Sequence, residues 1–304
     1  MNLPSYVVIT PARNEAEFLE LTIKSVVAQT VKPLKWVIVS DGSTDGTDDI
    51  VARYAAVYPW IKLLRMPERQ ERHFAGKVLA FNAGYELVRD LNYAVVVSLD
   101  GDTSFDEEYF GFLLEKLAGD PRLGLVGTPF QEAATKETYD YRFSSIEHVS
   151  GACQVFRREC FEAIGGYVAV PGGGIDHIAV ITARMKGWKT MTFTDRVCLH
   201  HRQMGTAQRN SLTAHFKVGV RDYALGAHPL WECFRTVYQM ATRKPYIIAG
   251  FLFGLGYVWA AIRHEERPVS AELVAFRRRE QMARLRNLLT GTRTSDPSRV
   301  VTSY

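Results

Sequence analysis

The amino-acid sequence predicts an α/β protein: a mostly parallel sheet flanked by helices, followed by a helical C-terminal region. Three observations predict it. Apolar runs alternate with helical patterns over the first two hundred residues, the arrangement that places helices on both faces of a parallel sheet. The run Val95-Val96-Val97-Ser98-Leu99 delivers Asp100-Gly101-Asp102 to the carboxyl edge of such a sheet, where α/β proteins bind ligands. Beyond about Gly205 strand signals fade and the balance of charge changes sign. The chain is therefore expected to divide into residues 1–205 and residues 206–304.

In order along the chain, Tyr6 to Thr10 is expected as the first strand. Asn14 with Glu17 three residues later resembles a capping box, opening a helix whose Leu19, Ile23, Val26 and Val27 share one face. A strand over Lys35–Ser40, a helix over Thr47–Tyr58, a strand over Ile61–Arg65 and a helix over Lys77–Arg89 follow. Tyr93–Leu99 is the next strand and Asp106–Leu117 the next helix. Leu123–Thr128, Ala152–Arg157 and Thr190–Phe193 are expected as further strands, the later ones antiparallel. Asp176–Met185 and Ala271–Leu289 are expected as helices, and no internal repeat or low-complexity segment interrupts the pattern.

Residues 1–200 carry 21 Lys/Arg against 26 Asp/Glu, whereas residues 201–304 carry 16 against 7. Two parts with different electrostatic partners are implied. No recognisable nucleic-acid reading motif accompanies the basic residues, so nucleic acid is not the expected partner and an anionic membrane surface is. Pro245–Ile262 holds eighteen residues without a charge, flanked by Arg243 and Lys244 before and Arg263, Arg267 and Arg277-Arg278-Arg279 after. A single crossing would leave one basic flank outside, so a segment lying along or dipping into the cytoplasmic leaflet is expected. The Ala271–Leu289 helix, with Leu273, Phe276, Leu285 and Leu288 among five arginines, is expected on the same surface. Four scattered cysteines, Cys153, Cys160, Cys198 and Cys233, fit neither a disulfide framework nor a zinc knuckle. Met1–Ser5 runs straight into the first strand, leaving no room for a secretory leader, so a cytoplasmic, peripheral location at the inner face of the cell membrane is expected.

Several motifs carry chemistry. Asp100 and Asp102 are hard oxygen ligands suited to Mg²⁺ or Mn²⁺ that also holds phosphate. The run Asp41-Gly42-Ser43-Thr44-Asp45-Gly46-Thr47 places acids at calcium-loop spacing, but position twelve is Ala52 rather than a bidentate Glu, which excludes that loop. Asp41 is instead expected at the ligand edge as an acceptor for a nucleobase N–H or a ribose hydroxyl, with Asp45 and Thr47 forming a turn. Neither G-x-G-x-x-G after the first strand nor G-x-x-x-x-G-K-[ST] occurs, which argues against a dinucleotide dehydrogenase and a P-loop nucleotidase. Asp176 follows Gly172-Gly173-Gly174-Ile175 at a helix start, a place for a general base or for a plain N-cap. His200-His201-Arg202 closes the strand-rich part, and strand alternation allows only one of the two imidazoles to face a given site.

In this order, Val8-Ile9-Thr10-Pro11-Ala12-Arg13-Asn14-Glu15, Val39 to Thr47, Gly76 to Gly84 and Asp100-Gly101-Asp102 resemble family 2 glycosyltransferases of the GT-A fold. The resemblance covers about two hundred residues and implies inverting transfer of a sugar from a nucleotide-diphosphate sugar, UDP-linked by preference, to an acceptor hydroxyl. It implies that Pro11, Arg13 and Glu15 line the nucleotide pocket, Asp41 reads the base, Lys77 and Asn82 flank sugar or phosphates, and Asp100 meets the ribose. Asp102 would hold Mn²⁺ or Mg²⁺ with His200 or His201, Arg202 would meet the diphosphate, and Asp176 would be the base. In the family another acid usually precedes the base, whereas Ile175 stands here. The expected acceptor is a lipid-linked or other saccharide of surface polysaccharide assembly. A nucleotidyltransferase and a catalytically silent GT-A-like scaffold at the membrane are the alternatives.

Overall fold

The computed structural model describes residues 3–68, 74–133, 145–170, 173–202 and 211–290, so Gly172 and the expected boundary near Gly205 lie outside it. The chain forms two compact units, Met1–Gln203 and Met204–Tyr304.

In the first unit the chain runs β1 (Tyr6–Ala12), α1 (Leu19–Ala28), β2 (Lys35–Asp41), α2 (Thr47–Val57), β3 (Ile61–Met66), α3 (Phe74–Glu86), β4 (Val95–Leu99) and β5 (Thr103–Ser104). It continues through α4 (Tyr109–Gly119), β6 (Leu123–Gly127), β7 (Phe130–Glu132), β8 (Cys153–Arg157), α5 (Arg158–Ala163), α6 (Ile175–Met185), β9 (Lys189–Thr192) and β10 (Cys198–His200). Seven strands form one sheet in the order β3-β2-β1-β4-β8-β6-β9, and β5-β10-β7 form a second, small one.

Alternate residues of β1 enter opposite apolar clusters: Tyr6 and Val8 pack with Ile38, Val97 and Phe110, and Val7 and Ile9 with Val37, Val39 and Phe81. Because helices cover both faces, both sets are buried, which is why β1, β2 and β4 are continuous apolar runs rather than alternating ones. The one buried polar residue of the first strand, Thr10, accepts a hydrogen bond from Trp36 Nε1 at 2.9 Å.

Strands β1 to β4 all run parallel. The chain moves outward from β1 to β3 and then returns to the other side of β1 as β4, making a topological switch point between β1 and β4. In the seven-stranded sheet only β8 runs against the other strands; β9 is parallel to β6, contrary to the antiparallel expectation for Thr190–Phe193. β9 runs opposite to β8, the strand before it, and its pairing with β6 is parallel because β8 has already reversed the chain between them. The capping box also differs. Helix α1 starts at Leu19 without a side-chain cap, because Asn14 takes a positive φ of 55° and turns its side chain to a neighbouring loop.

The second unit contains α7 (Ser211–Ala224), α8 (Pro229–Thr242), α9 (Ile248–Ile262) and α10 (Ala271–Thr290). Asp222 of α7 is buried and pairs with Arg235 of α8 at 2.5 Å and Arg277 of α10 at 3.2 Å. Burial works against the Asp222 carboxylate, but the two guanidiniums outweigh it and hold its pKa at about 2. Helix α10 turns Leu273, Val274, Arg277 and Leu285 inward and leaves Leu288 and Leu289 exposed. Among the described residues no helix is long and apolar enough to cross a membrane.

Helix α3 sits on the sheet through Gly84, where an added Cβ would lie 2.8 Å from both Ile9 Cγ2 and Val39 Cγ2. Both neighbours are wholly buried. Gly84→Ala is expected to cost about 1–3 kcal/mol by overpacking, read as a lowered urea midpoint at unchanged slope.

Candidate functional site

The switch point is built by two loops that lock together. After β1, three consecutive backbone N–H groups donate to side chains of the β2–α2 loop: Asn14 to Ser43 Oγ (3.1 Å), Glu15 to Thr47 Oγ1 (2.9 Å) and Ala16 to Asp45 Oδ2 (3.0 Å). In return Thr44 N–H donates to Asn14 Oδ1 at 2.8 Å. Asp45 also accepts from the Thr47 backbone and hydroxyl. Burial would raise the Asp45 carboxyl, but these hydrogen bonds outweigh it and its pKa lies below the ordinary value. The Asp41–Thr47 motif is thus the clasp that fixes the backbone of the Arg13–Glu15 motif. Arg13 Nη1 lies 4.0 Å from Asp41 Oδ2, at the ends of adjacent strands.

On the other side of β1, Asp100 follows β4 and ion-pairs with Lys77 of α3. Desolvation drives the Asp100 pKa up against the pull of Lys77; desolvation would lower Lys77, and the Asp100 carboxylate reverses that, so the ammonium is held. Asp176, at the start of α6, adds to the field on Lys77, which puts it within electrostatic reach of the same cluster. Its carboxylate lies against Gly151, where a Cβ would come within 3.1 Å of Asp176 Oδ2. Beneath it, Gln154 accepts from Tyr167 Oη at 2.6 Å, donates to the Val149 carbonyl at 3.1 Å and approaches the Asp176 carbonyl at 3.5 Å.

The small sheet brings in the last group. β10 pairs with β5 so that His200 stands opposite Thr103, and the His201 N–H donates to the Asp102 carbonyl at 2.8 Å. Strand alternation then separates the two imidazoles. His200 Nε2 is 3.6 Å from Asp102 Oδ1, whereas His201 Nε2 is 2.8 Å from Ser104 Oγ with its ring stacked on Phe18. Arg202 spans two acids, with Nη2 2.5 Å from Glu15 Oε2 and Nε 3.4 Å from Asp102 Oδ2. Burial and the Asp102 carboxylate push Glu15 up to about 7 even though Arg202 opposes the shift.

Asp102 and His200 fit a divalent ion as donors. Their 3.6 Å separation exceeds a hydrogen bond, and both side chains are nearly buried. Among the described residues no group of three His, Cys, Asp or Glu side chains could hold an ion alone. One carboxylate with phosphate oxygens and water is a usual protein contribution to a Mg²⁺ site.

Of the residues singled out in the sequence, Glu15, Lys77, Asp100, Asp102, His200 and Arg202 are joined by the contacts above, with Arg13, Asp41 and Pro11 at the neighbouring strand ends. His201 turns away to Ser104. Asn82 is exposed and about 140° around α3 from Lys77, and no described contact ties it to the cluster. Sequence reasoning missed Gln154 and Tyr167, because an ordinary core Tyr-Gln pair has no motif. It also treated Asp45 and Thr47 as a plain turn; their spacing from Asp41 gave no hint that their partners lie 29 to 32 residues earlier.

Fold and site together define a GT-A-type α/β protein with an acidic ligand edge that Lys77 and Arg202 partly neutralise. The family model described as Glycosyl transferase family 2 matches residues 7–165, and the chain belongs to that family. The poly-beta-1,6-N-acetyl-D-glucosamine synthase of Staphylococcus aureus (strain COL) is 29% identical over 138 residues, 45% of this chain and 31% of that protein. The probable glycosyltransferase YdaM of Bacillus subtilis (strain 168) is 27% identical over 197 residues, 61% of this chain and 43% of that protein. The chain thus matches less than half the length of either relative. Among solved structures, the mannosyltransferase PcManGT from Pyrobaculum calidifontis in complex with GDP-Man and Mn2+ has a TM-score of 0.57 at 20% identity, covering 95% of this chain and 81% of that one. S. aureus TarS 1-349 in complex with UDP-GlcNAc has a TM-score of 0.55 at 12% identity, covering 86% and 74%. At these identities the likeness is one of fold. Asp176, His200, His201 and Arg202 lie beyond the family match.

Thr47→Ala removes the acceptor for the buried Glu15 N–H. It is expected to cost about 1–3 kcal/mol, seen as a lower unfolding midpoint together with weaker nucleotide-sugar binding by calorimetry.

Proposed function

We propose that this chain is an inverting glycosyltransferase that moves a sugar from a nucleotide-diphosphate sugar to an acceptor hydroxyl, with a divalent ion, in polysaccharide or lipid-linked glycan synthesis. The observation that carries the proposal is the grouping of Asp102, His200 and Arg202 at the switch point, with Asp176 close enough to act on Lys77. Asp102 and His200 Nε2 would hold Mn²⁺ or Mg²⁺, which when bound supplies charge neutralisation for the departing diphosphate. Arg202 is held by Glu15 and Asp102 and has a planar fork suited to phosphate oxygens. Lys77, kept charged by Asp100, presents a second cation to the same cleft. Asp41 and Arg13 stand at the adjoining strand ends, where a base and ribose would lie.

Inversion needs a base on the face of the sugar opposite the leaving group. Asp176 is assigned that role: a carboxylate oxygen takes the proton of the acceptor hydroxyl as the new glycosidic bond forms. Gly151 leaves it room, and the Tyr167–Gln154 pair supports its backbone. The PcManGT and TarS complexes contain GDP-Man and UDP-GlcNAc, which makes UDP- and GDP-sugars the first donors to screen. The excess of base in residues 201–304 supports an acceptor carried at an anionic, cytoplasmic membrane face, with residues 206–304 as the associating region.

Incubation with UDP-, GDP- and TDP-sugars and Mn²⁺ should release a nucleoside diphosphate; release of pyrophosphate would show a nucleotidyltransferase instead. Asp176→Asn should lower turnover by about 10²-fold or more while leaving donor affinity unchanged. Equal turnover in that variant would remove Asp176 from the mechanism.

A further inference from the structure

Helix α9 has two apolar faces, and among the described residues only one of them is packed. At 100° per residue, Ala249, Gly250, Phe253, Gly256, Tyr257 and Ala260, all buried, fall within an arc of about 120°. Ile248, Phe251, Leu255, Val258, Trp259 and Ile262, each 37 to 74% exposed, fall within an arc of about 100° on the opposite side. No charged side chain occurs anywhere on the helix. A helix apolar all round belongs in a core or in lipid, not at a water interface.

The buried face is fixed at backbone distance. A Cβ on Gly219 of α7 would lie 2.0 Å from the Phe253 carbonyl oxygen, and one on Gly256 would lie 2.1 Å from the Phe216 carbonyl oxygen. On the α8 side, a Cβ on Gly250 would meet the Met240 backbone nitrogen at 2.5 Å. Small-residue contacts of this kind let helix backbones touch, as they do where helices associate without help from water. The helix is therefore covered along one side and bare along the other.

Resting on the membrane part of the function proposed above, we propose that the bare face of α9 is a monotopic docking surface that lies in the plane of an anionic lipid leaflet. Length favours this orientation over crossing: fifteen residues extend about 22 Å, short of the roughly 30 Å hydrocarbon core. Charge identifies the occupant. Arg243 and Lys244 precede the helix and Arg263 follows it, all exposed, with the Arg263 guanidinium 5.0 Å above the Trp259 ring. An aromatic ring beside a cation at the edge of an apolar face suits the headgroup boundary. Glu265 and Glu266 are the nearby acids, and they follow Arg263 past the helix end. A second copy of the chain would bring the same basic flanks against these, whereas acidic lipid headgroups complement them. The polar and apolar parts of one leaflet thus match both the flanks and the face.

The test is flotation of the full chain with vesicles of phosphatidylcholine alone or with about 30% phosphatidylglycerol. The wild type should float with the anionic vesicles and do so less in high salt. Phe251→Glu with Leu255→Glu should lower the bound fraction about tenfold or more, with the unfolding midpoint unchanged because neither side chain is buried. Arg243→Glu with Lys244→Glu should weaken binding and flatten its salt dependence. Quenching by brominated lipids should fall in Trp259→Phe if that ring enters the leaflet. Equal flotation of the Phe251/Leu255 variant would overturn the docking face while leaving a membrane location standing. Absence of wild-type flotation would overturn both, and a dimer in solution that the same variant dissociates would assign the face to a second copy instead.

Discussion

The structure depends on holding like charges together. Asp102 and Glu15 share one guanidinium, that of Arg202, and Asp100 is answered by Lys77. Three acids against two cations leave the cleft short of positive charge, and the physical sign of the shortage is the Glu15 carboxyl, pushed up to about 7 by burial and by Asp102. A divalent ion would relieve the shortage and a diphosphate would bring its own demand for cations.

Strand order alone assembles these groups. Because β4 returns beside β1 after β2 and β3 have moved outward, the carboxyl ends of β1 and β4 diverge into a crevice. The small sheet then folds β10 against β5, so that a residue near position 200 reaches one near position 100 through two backbone pairings. The clasp between the two loops after β1 and β2 fixes the remaining wall. Every side chain in it is short, so few rotamers are frozen to hold it.

Much of this was legible beforehand. The apolar runs identified the sheet because burial on both faces leaves an uninterrupted pattern, and Asp41, Asp100 and Asp102 followed from their place at strand ends. Strand alternation required His200 and His201 to diverge, and only the structure shows that His200 is the one beside Asp102. Other features depend on partners distant in sequence. Within Ala271–Leu289, Arg277 is turned inward to the buried Asp222 carboxylate and the Leu225 carbonyl, a pairing 52 to 55 residues away that no local pattern shows. The two-residue β5 and three-residue β7 and β10 are too short to leave a periodic signal. The Tyr167–Gln154 pair gains meaning only from the Asp176 backbone it reaches, 22 residues on from Gln154.

The central claim is that Asp102 and His200 form half of an ion site that a nucleotide completes. Manganese electron paramagnetic resonance, titrating Mn²⁺ into the protein with and without a nucleoside diphosphate, tests it most directly. The account predicts weak uptake of Mn²⁺ alone, strong uptake when the diphosphate is present, and loss of that gain in Asp102→Asn. Equally tight uptake without nucleotide, or an Asp102→Asn titration that matches the wild type, would contradict it.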